Sequence, residues 1–223
     1  MDWLRILRIA VVVLLALWLM RQVGKPRGWL GKRVVRAMNA GHATMTNWGL
    51  QQLPVSSSST ILDVGCGGGR TVQTLAAMAP NGTVTGIDYA TGSVAVSRET
   101  NAAEIAAGRV RIVRGSVAAL PFPDRTFDVI TAVETHYYWP NLPDNVQEIL
   151  RVLKPGGTFA IIAETYRGGP YRFLYGIVMP LIRAAYLTDA QHRDLLAQAG
   201  FTEVTTTHKP RKNWICAIGR RPL

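Results

Sequence analysis

The chain has 223 residues, of which 48% are hydrophobic, so it can bury the core of one sizeable α/β domain and is not generally disordered. The net charge of +11 lies mostly at the two ends, because residues 1–36 carry +7 and residues 209–223 carry +5. The intervening part is nearly neutral at −1. That placement argues against a nucleic-acid enzyme, whose positive charge usually lies on the working face, and favours a membrane surface as partner.

The first 36 residues contain an apolar segment between basic flanks. Residues 9–20 carry no charge, while Arg5 and Arg8 precede them and six basic residues follow. A bilayer span takes roughly 20 apolar residues, a length reached only if residues 3–23 are counted, so a single-pass anchor and a helix lying in the interface both stay open. A cleaved signal peptide and a soluble core helix fit less well. We predict that residues 1–36 attach a cytoplasmic domain of residues 37–223 to a membrane.

Strands and helices alternate along that domain, after a helical segment that contains His42. The predicted strands are Thr60–Val64, Thr83–Asp88, Val110–Arg114, Phe127–Ala132, Thr158–Ala163, Phe201–Thr207 and Trp214–Ile218. The predicted helices are Arg70–Met78, Ser93–Ala107, Leu142–Leu153 and Ala190–Ala199. Alternation of this kind predicts an α/β fold with a Rossmann-like, doubly wound, mostly parallel sheet, on which ligands bind at the carboxyl ends of the strands.

A glycine-rich turn follows the first strand, where residues 61–70 read ILDVGCGGGR. Glycines there permit positive φ values and the close approach of a ligand to the backbone. Arg70 stands where the dinucleotide fingerprint G-x-G-x-x-G requires its third glycine, so the spacing differs from that motif. Asp88 ends the next strand, and a carboxylate there can bind both hydroxyls of a ribose. The pattern indicates an adenosine-type ligand, with a bare tight turn as the alternative. Since Cys66 lies in this turn, far from Cys216, no structural disulfide is expected and a reducing compartment is indicated.

Four motifs occur in an order that resembles the class I S-adenosylmethionine-dependent methyltransferases, in the small-molecule branch labelled methyltransferase type 11. They are ILDVGCGGGRT, GIDYA, GSVAALPFPDRTFDVI and LKPGG, the last of which is expected to be a structural turn. The final NWICAIGRRP is similar to the antiparallel last strand of that fold. The resemblance covers roughly residues 40–220 and implies a seven-stranded sheet, methyl transfer and S-adenosylmethionine as cofactor.

The resemblance also assigns residues to the cofactor. In chain order they are Asp63, Gly65, Cys66, Gly67, Asp88, Tyr89, Ser116, Val117, Val133 and Glu134. The first four, three of them through their backbone, are expected at the methionine end. The next two are expected at the ribose and beside the adenine. Ser116 stands where the family often has an aspartate, so its contact with the adenine departs from the family pattern. The last two are expected to face the methionine or the acceptor.

The stretch ETHYYWP, residues 134–140, follows the fourth strand and is the strongest candidate for catalysis. A hydroxyl, thiol or ammonium acceptor must lose a proton, which calls for a base. His136 is the predicted base, with Glu134 orienting it or contacting the cofactor; a loop-capping histidine among packed aromatics is the alternative. His42 is a second candidate, although an ordinary surface histidine explains it as well. No Cys/His cluster has metal-ligand spacing, so no metal site is expected.

An apolar stretch, residues 164–188, contains Arg167, Arg172 and Arg183 and is expected to be a substrate lid, a second membrane contact or a plain pair of core helices. The predicted function is S-adenosylmethionine-dependent methylation of a small acceptor, with a lipophilic molecule as the natural candidate, at a membrane surface. A membrane-tethered S-adenosylmethionine-binding protein without turnover and a nicotinamide-dependent oxidoreductase are the alternatives. No nucleic acid is expected as partner, and the oligomeric state is left open.

Overall fold

The computed structural model describes residues 41–223 together with six earlier residues, which are Trp3, Leu7, Arg8, Gly31, Arg33 and Val35. The predicted apolar segment of residues 9–20 therefore lies outside the described residues, and the division of the chain at residue 36 stays a prediction. In the part of the chain that the structure describes, no helix has both the length and the apolar character needed to cross a membrane.

The described elements follow the predicted alternation closely. The strands are β1 (Thr60–Val64), β2 (Thr83–Asp88), β3 (Val110–Arg114), β4 (Phe127–Val133), β5 (Leu153–Ala163), β6 (Thr202–His208) and β7 (Ile215–Arg220). The helices are α1 (Ala43–Leu50), α2 (Arg70–Met78), α3 (Thr91–Thr100), α4 (Ala102–Ala106), α5 (Leu142–Val152), α6 (Arg172–Leu181) and α7 (Asp189–Gln198), with one 3₁₀ turn at His136–Tyr138.

Most predicted boundaries agree with the structure to within two residues, and two elements differ by more. The helix predicted at Ser93–Ala107 is broken at Asn101, whose side-chain amide donates to the carbonyl oxygens of Gly69 and Ser97, at 2.9 Å each. A side chain that bonds to the backbone in this way competes with continuous helix, and here it also secures the end of the glycine-rich turn. The LKPGG motif falls within β5, which begins at Leu153, but residues 154–157 have no partners on β4 and form an irregular section in which Gly156 has a φ of 72°.

The seven strands form one sheet in the order β3-β2-β1-β4-β5-β7-β6. Strands β1 to β5 run parallel to one another, whereas β7 is antiparallel to both of its neighbours, β5 and β6. This confirms the predicted Rossmann-like, mostly parallel sheet with an antiparallel last strand. The chain leaves β1 toward β2 on one side and reaches β4 on the other, so the topological switch point lies between β1 and β4, where such sheets bind ligands.

Hydrophobic side chains cover both faces of this sheet. On β1, Ile61 belongs to the core beneath α1 and α2, while its neighbour Leu62 belongs to the core beneath α5 and α7. Val129 and Ile130 alternate in the same way on β4. Strands that are apolar on both faces require helices on both sides, and this arrangement leaves the carboxyl ends of the strands as the open edge of the domain.

Candidate active site

A cavity of about 530 Å³ lies at the switch point, within the range of small-molecule sites. The ends of β1, β2 and β4 form its floor, and His42, Tyr138, Trp139 and Pro140 contribute to its walls. Of the ten residues predicted for the cofactor, nine line this one cavity; they are Gly65, Cys66, Gly67, Asp88, Tyr89, Ser116, Val117, Val133 and Glu134. The fold thus brings together residues from four separate turns.

The glycine-rich turn is held tightly against its neighbours. The backbone N–H groups of Gly65 and Cys66 both donate to the carbonyl oxygen of Ile87, at 2.8 and 3.0 Å. Gly65 has a φ of 74°, and a Cβ atom at this position would overlap the side chain of Thr135. Only glycine allows the turn to lie this close to the loop after β4, and the backbone stays exposed toward the cavity.

Asp88 fixes the shape of the turn from the end of β2. One carboxylate oxygen accepts from the N–H of Gly67 at 3.0 Å, and the other accepts from the N–H of Ala90 at 2.8 Å. Burial raises the pKa of Asp88, and these backbone hydrogen bonds oppose the rise. Each oxygen of a carboxylate can accept further hydrogen bonds, so the side chain can still receive hydroxyl donors from a ligand.

Asp63 does not line the cavity but lies just beneath the turn, with 1% of its surface exposed. One carboxylate oxygen accepts from the Thr131 hydroxyl at 2.7 Å, while the other has no partner. Burial, aided by the charge of Asp88, raises the pKa of Asp63 to about 7. A buried acceptor without a donor, next to a glycine cradle, fits a ligand that brings a donor of its own.

The thiol of Cys66 is buried and has a partner inside the domain. It donates to the Ser97 hydroxyl at 3.7 Å, and burial raises the pKa of Cys66 well above its ordinary value. A thiol that stays protonated is a poor nucleophile, and Cys66 and Cys216 are both free, so neither forms a disulfide.

Glu134 follows β4 in a left-handed conformation, with a φ of 57° that is uncommon for a residue with a side chain. Its carboxyl group accepts from the Tyr137 hydroxyl at 3.0 Å and from the backbone N–H of Glu164. Burial, followed by the nearby carboxylate of Glu164, raises the pKa of Glu134 to about 8. This environment favours the protonated form of the Glu134 carboxyl group, and the left-handed backbone turns the side chain toward the cavity, as strained residues at functional sites often are.

The structure does not support His136 as the base. Its side chain is completely buried and lies outside the cavity lining, with Nε2 3.3 Å from Nε2 of His192. Because Nδ1 of His192 donates to the Thr188 carbonyl oxygen at 2.8 Å, His136 must donate to His192 through Nε2. Burial and His192 hold the pKa of His136 well below its ordinary value. Because its side chain is buried and does not line the cavity, this geometry favours a packing role, and His136 as the base stays a prediction.

His42 is the histidine that lines the cavity. Its Nε2 atom lies 3.7 Å from a carboxylate oxygen of Glu164. Among the residues that the structure describes, His42, Glu134 and Glu164 also form the group of potential metal ligands, with their ligand atoms within 4.8 Å of one another. These three residues come from three distant segments, so ligand spacing along the chain, on which the expectation of no metal site rested, could not reveal the group.

Comparison with known proteins agrees with this geometry. A family model described as a methyltransferase domain matches residues 62–161. A demethylmenaquinone methyltransferase of Shouchella clausii is 29% identical over 202 residues, which cover 78% of this chain and 83% of the relative. A sterol 4-C-methyltransferase of Caenorhabditis elegans is 32% identical over 61% of this chain, but the match spans only 39% of that relative.

Solved structures share the fold at low sequence identity. An S-adenosylmethionine-dependent methyltransferase of Aquifex aeolicus matches with a TM-score of 0.69 at 20% identity, over 85% of this chain and 97% of that one. Human N-acetylserotonin methyltransferase, in complex with S-adenosylmethionine, matches with a TM-score of 0.72 at 18% identity, over 86% of this chain and 56% of that one. Residues 62–161 are therefore a methyltransferase domain, on a fold shared with solved S-adenosylmethionine-dependent methyltransferases.

Proposed function

We propose that this methyltransferase acts on a small, lipophilic acceptor at a membrane surface. The observation that carries the proposal is the single cavity at the switch point, which joins a glycine turn and Asp88 to a wall of Val133, Tyr138 and Trp139. The first part suits a nucleoside cofactor. The second part is apolar and aromatic, as expected for an acceptor with little polar surface.

The relatives support a lipophilic acceptor. Their names refer to a demethylated menaquinone and to a sterol, both of which are apolar molecules. The match with the demethylmenaquinone methyltransferase covers most of both proteins. The match with the sterol methyltransferase covers only a minor part of that relative. The likeness therefore supports the acceptor class, and the particular acceptor is left to experiment.

The residues of the cavity suggest how the cofactor would be held. S-adenosylmethionine supplies an electrophilic methyl group on a positively charged sulfur. We expect the carboxylate of Asp88 to accept from the ribose hydroxyls and the backbone of Gly65–Gly67 to hold the methionine end. Ser116 and Val117 would lie along the adenine, with Tyr89 beside it. Apolar side chains such as Val133 would keep water from the acceptor, which favours transfer because the charge on sulfur is dispersed as the methyl group leaves.

We also propose His42 as the proton acceptor, in place of His136. Its Nε2 would take the proton that the acceptor atom, oxygen or carbon, gives up on receiving the methyl group, while the electron pair of the broken bond to the methyl group would stay with the cofactor sulfur. The Glu164 carboxylate, 3.7 Å away, would stabilise the resulting imidazolium. The raised pKa of the neighbouring Glu134 favours its neutral form, so we expect Glu164 to be the main negative charge beside the imidazolium.

The proposed membrane location follows from the class of acceptor. Lipophilic acceptors partition into bilayers, so an enzyme that uses them must meet them at the surface or withdraw them from it. Attachment through residues 1–36 and a cytoplasmic domain both stay predictions, because most of that segment lies outside the described residues.

A labelling experiment tests the acceptor class. The full chain is incubated with methyl-labelled S-adenosylmethionine and a host lysate, and the products are separated into organic, aqueous and precipitated fractions. Label in the organic phase is the expected result. Label in the aqueous phase would retain methyl transfer but contradict a lipophilic acceptor, and label in the precipitate would point to a macromolecular one. No label, with cofactor binding intact, would favour the binding protein without turnover. The Asp88→Ala variant, expected to lose cofactor affinity, is the negative control.

A further inference from the structure

Helix α6 is apolar on two opposite faces. Its inner face, with Tyr175 and Met179, packs on a small core formed by Tyr137, Ala163 and Ile215. Its outer face consists of Tyr171 at its N-cap and of Phe173, Leu174, Ile177 and Leu181, whose side chains are 53 to 76% exposed. The last four residues lie on one stripe of the helix, because they are spaced by one, three and four positions.

An exposed stripe of this kind is unusual for a protein surface. Single exposed apolar side chains are common, but a contiguous group of large ones marks a surface that contacts a partner or a membrane. The inner face already provides the contact that holds α6 to the domain. Because the side chains of the outer face are exposed, burial on folding does not explain why they are apolar.

Six exposed cations lie on the segment that contains α6 and on the turn between β6 and β7, and we term them the cation rim. They are Arg167, Arg172, Arg183, Lys209, Arg211 and Lys212. The side chain of Asn213 donates to the Thr165 hydroxyl at 2.8 Å, so the turn between β6 and β7 is tied to the segment that leads into α6. Neither residues 165–188 nor residues 204–223 contain an acid. Within the described part of the chain, none of the six makes an ion pair with a carboxylate.

This surface lies at the same end of the sheet as the cavity. The last residue of β5, Ala163, pairs with Ile215 at the start of β7, and Ile215 pairs with His208 at the end of β6. The segments that carry the outer face and the rim thus leave the sheet at the carboxyl end of β5. Tyr138 connects the two sites, since it lines the cavity and packs against the core beneath α6.

We propose that the outer face of α6 and the cation rim form a docking surface for an anionic phospholipid bilayer. Apolar side chains would enter the boundary between headgroups and acyl chains, and the cations would contact the lipid phosphates, as in helices that lie in a membrane interface. The absence of acids from these segments favours an anionic bilayer over a second copy of this chain. The inference rests on the proposed function and deepens it, because docking would place the cavity beside the bilayer that holds a lipophilic acceptor.

Vesicle sedimentation with the full chain tests the proposal. We expect stronger binding to vesicles that contain phosphatidylglycerol than to pure phosphatidylcholine. The Phe173→Ser/Ile177→Ser variant should bind the anionic vesicles about tenfold less tightly or weaker still. Removing a rim charge, as in Arg172→Ser or Arg183→Ser, should weaken binding about fivefold for each cation. The matched controls are Leu223→Ser and Arg111→Ser, which remove an exposed apolar and an exposed basic side chain from parts of the sheet remote from α6.

Several results would overturn the docking surface. Variants of α6 that bind as tightly as the unchanged chain would assign vesicle binding to other residues, such as those of the 1–36 segment. Equal binding to both lipid compositions would contradict the role of the rim. A change in mass by light scattering, with vesicle binding unaltered, would identify a second copy of the chain as the partner. Vesicle binding needs no turnover, so a failure of the docking proposal can be told apart from a failure of the labelling experiment. As a control, the affinity for S-adenosylmethionine should be the same in all variants.

Discussion

His42 and His136 have the same chemistry but very different surroundings. His42 faces the cavity beside Glu164, whereas His136 is fully buried against His192. A base must reach both its substrate and a solvent path for the proton, and His42 alone of the two meets the first condition. We therefore expect opposite effects on turnover and on stability when each histidine is replaced by alanine.

For His42→Ala we expect turnover to fall about 10²- to 10⁴-fold, the usual contribution of a positioned proton acceptor. Cofactor affinity and thermal stability should change little, because the side chain is on the surface of the cavity. Steady-state kinetics with isothermal titration of S-adenosylmethionine would measure both. His208→Ala, which removes a histidine paired with Asp189 far from the cavity, is the control. Retained turnover would exclude His42, and loss of wild-type activity on adding a chelator would indicate a metal ligand instead.

For His136→Ala we expect the reverse. The variant leaves Nε2 of the buried His192 without its donor, which costs about 1–3 kcal/mol of unfolding free energy. Turnover per folded molecule should stay within about twofold, since the side chain does not reach the cavity. Urea denaturation and kinetics at a temperature where the variant is folded would show this. A large drop in turnover at unchanged stability would restore His136 as a catalytic candidate.

The raised pKa of Glu134 predicts that the stability of the protein depends on pH. Its carboxyl binds a proton more tightly in the folded than in the unfolded chain, so the free energy of unfolding should fall as the pH rises from about 4.5 to about 8. Glu134→Gln imitates the protonated group and should recover about 1–3 kcal/mol at pH 8 but little at pH 4.5. Urea denaturation across this pH range is the measurement. Glu203→Gln, at an exposed ion pair, should leave the slope unchanged, and an equal slope in Glu134→Gln would refute the raised pKa of Glu134.

At the scale of elements, the turn between β1 and α2 determines where the cofactor can lie. Gly65 combines a positive φ with a close approach to Thr135, two separate constraints on one residue. Gly108 has nearly the same φ, 73° against 74°, but open space where its Cβ atom would be. This pair separates the cost of the backbone conformation from the cost of the collision.

Gly65→Ala and Gly108→Ala should therefore differ. Both pay about 1–2 kcal/mol for a left-handed conformation, and only the first must also displace Thr135 or the turn itself. We expect Gly65→Ala to lose more stability than Gly108→Ala and to lose most of its affinity for S-adenosylmethionine. Denaturation and titration calorimetry on the two variants would test this. Equal losses of stability, with cofactor affinity retained, would show that the turn tolerates a side chain.

Element order followed from sequence because it depends on local patterns. The β2 and β3 bounds coincide with the prediction, since apolar runs and turn residues lie next to one another in the chain. The break at Asn101 was missed because the partner of its side chain, the Gly69 carbonyl, lies 32 residues away. The start of β5 at Leu153 was missed for a similar reason: Gly156 suggests a turn locally, but Gly156 and Gly157 exchange backbone hydrogen bonds with Arg221, which is more than 60 residues away in the chain.

For the whole molecule, the cofactor should act as a stabiliser. A ligand that binds only the folded chain adds about 2.7 kcal/mol at 100 times its Kd, which for a domain of this size raises the unfolding midpoint by about 5–11 °C. We expect this shift with S-adenosylmethionine in differential scanning calorimetry. A shift with a nicotinamide dinucleotide instead would support the oxidoreductase. The Asp88→Ala variant should lose most of the shift at the same ligand concentration.

The sequence by itself determined the strand–helix order, the glycine turn, the acid at the end of β2 and hence the fold. Through the family resemblance it also predicted the cofactor residues, nine of which line the cavity. These features are set by residues close together in the chain and by motifs of fixed spacing. Only the tertiary structure decided that His42 meets Glu134 and Glu164 at the cavity, that His136 is buried against His192, and that α6 exposes its outer face beside the cation rim. Each of these depends on which distant segments the sheet order brings into contact, and burial there, rather than residue type, sets protonation and access.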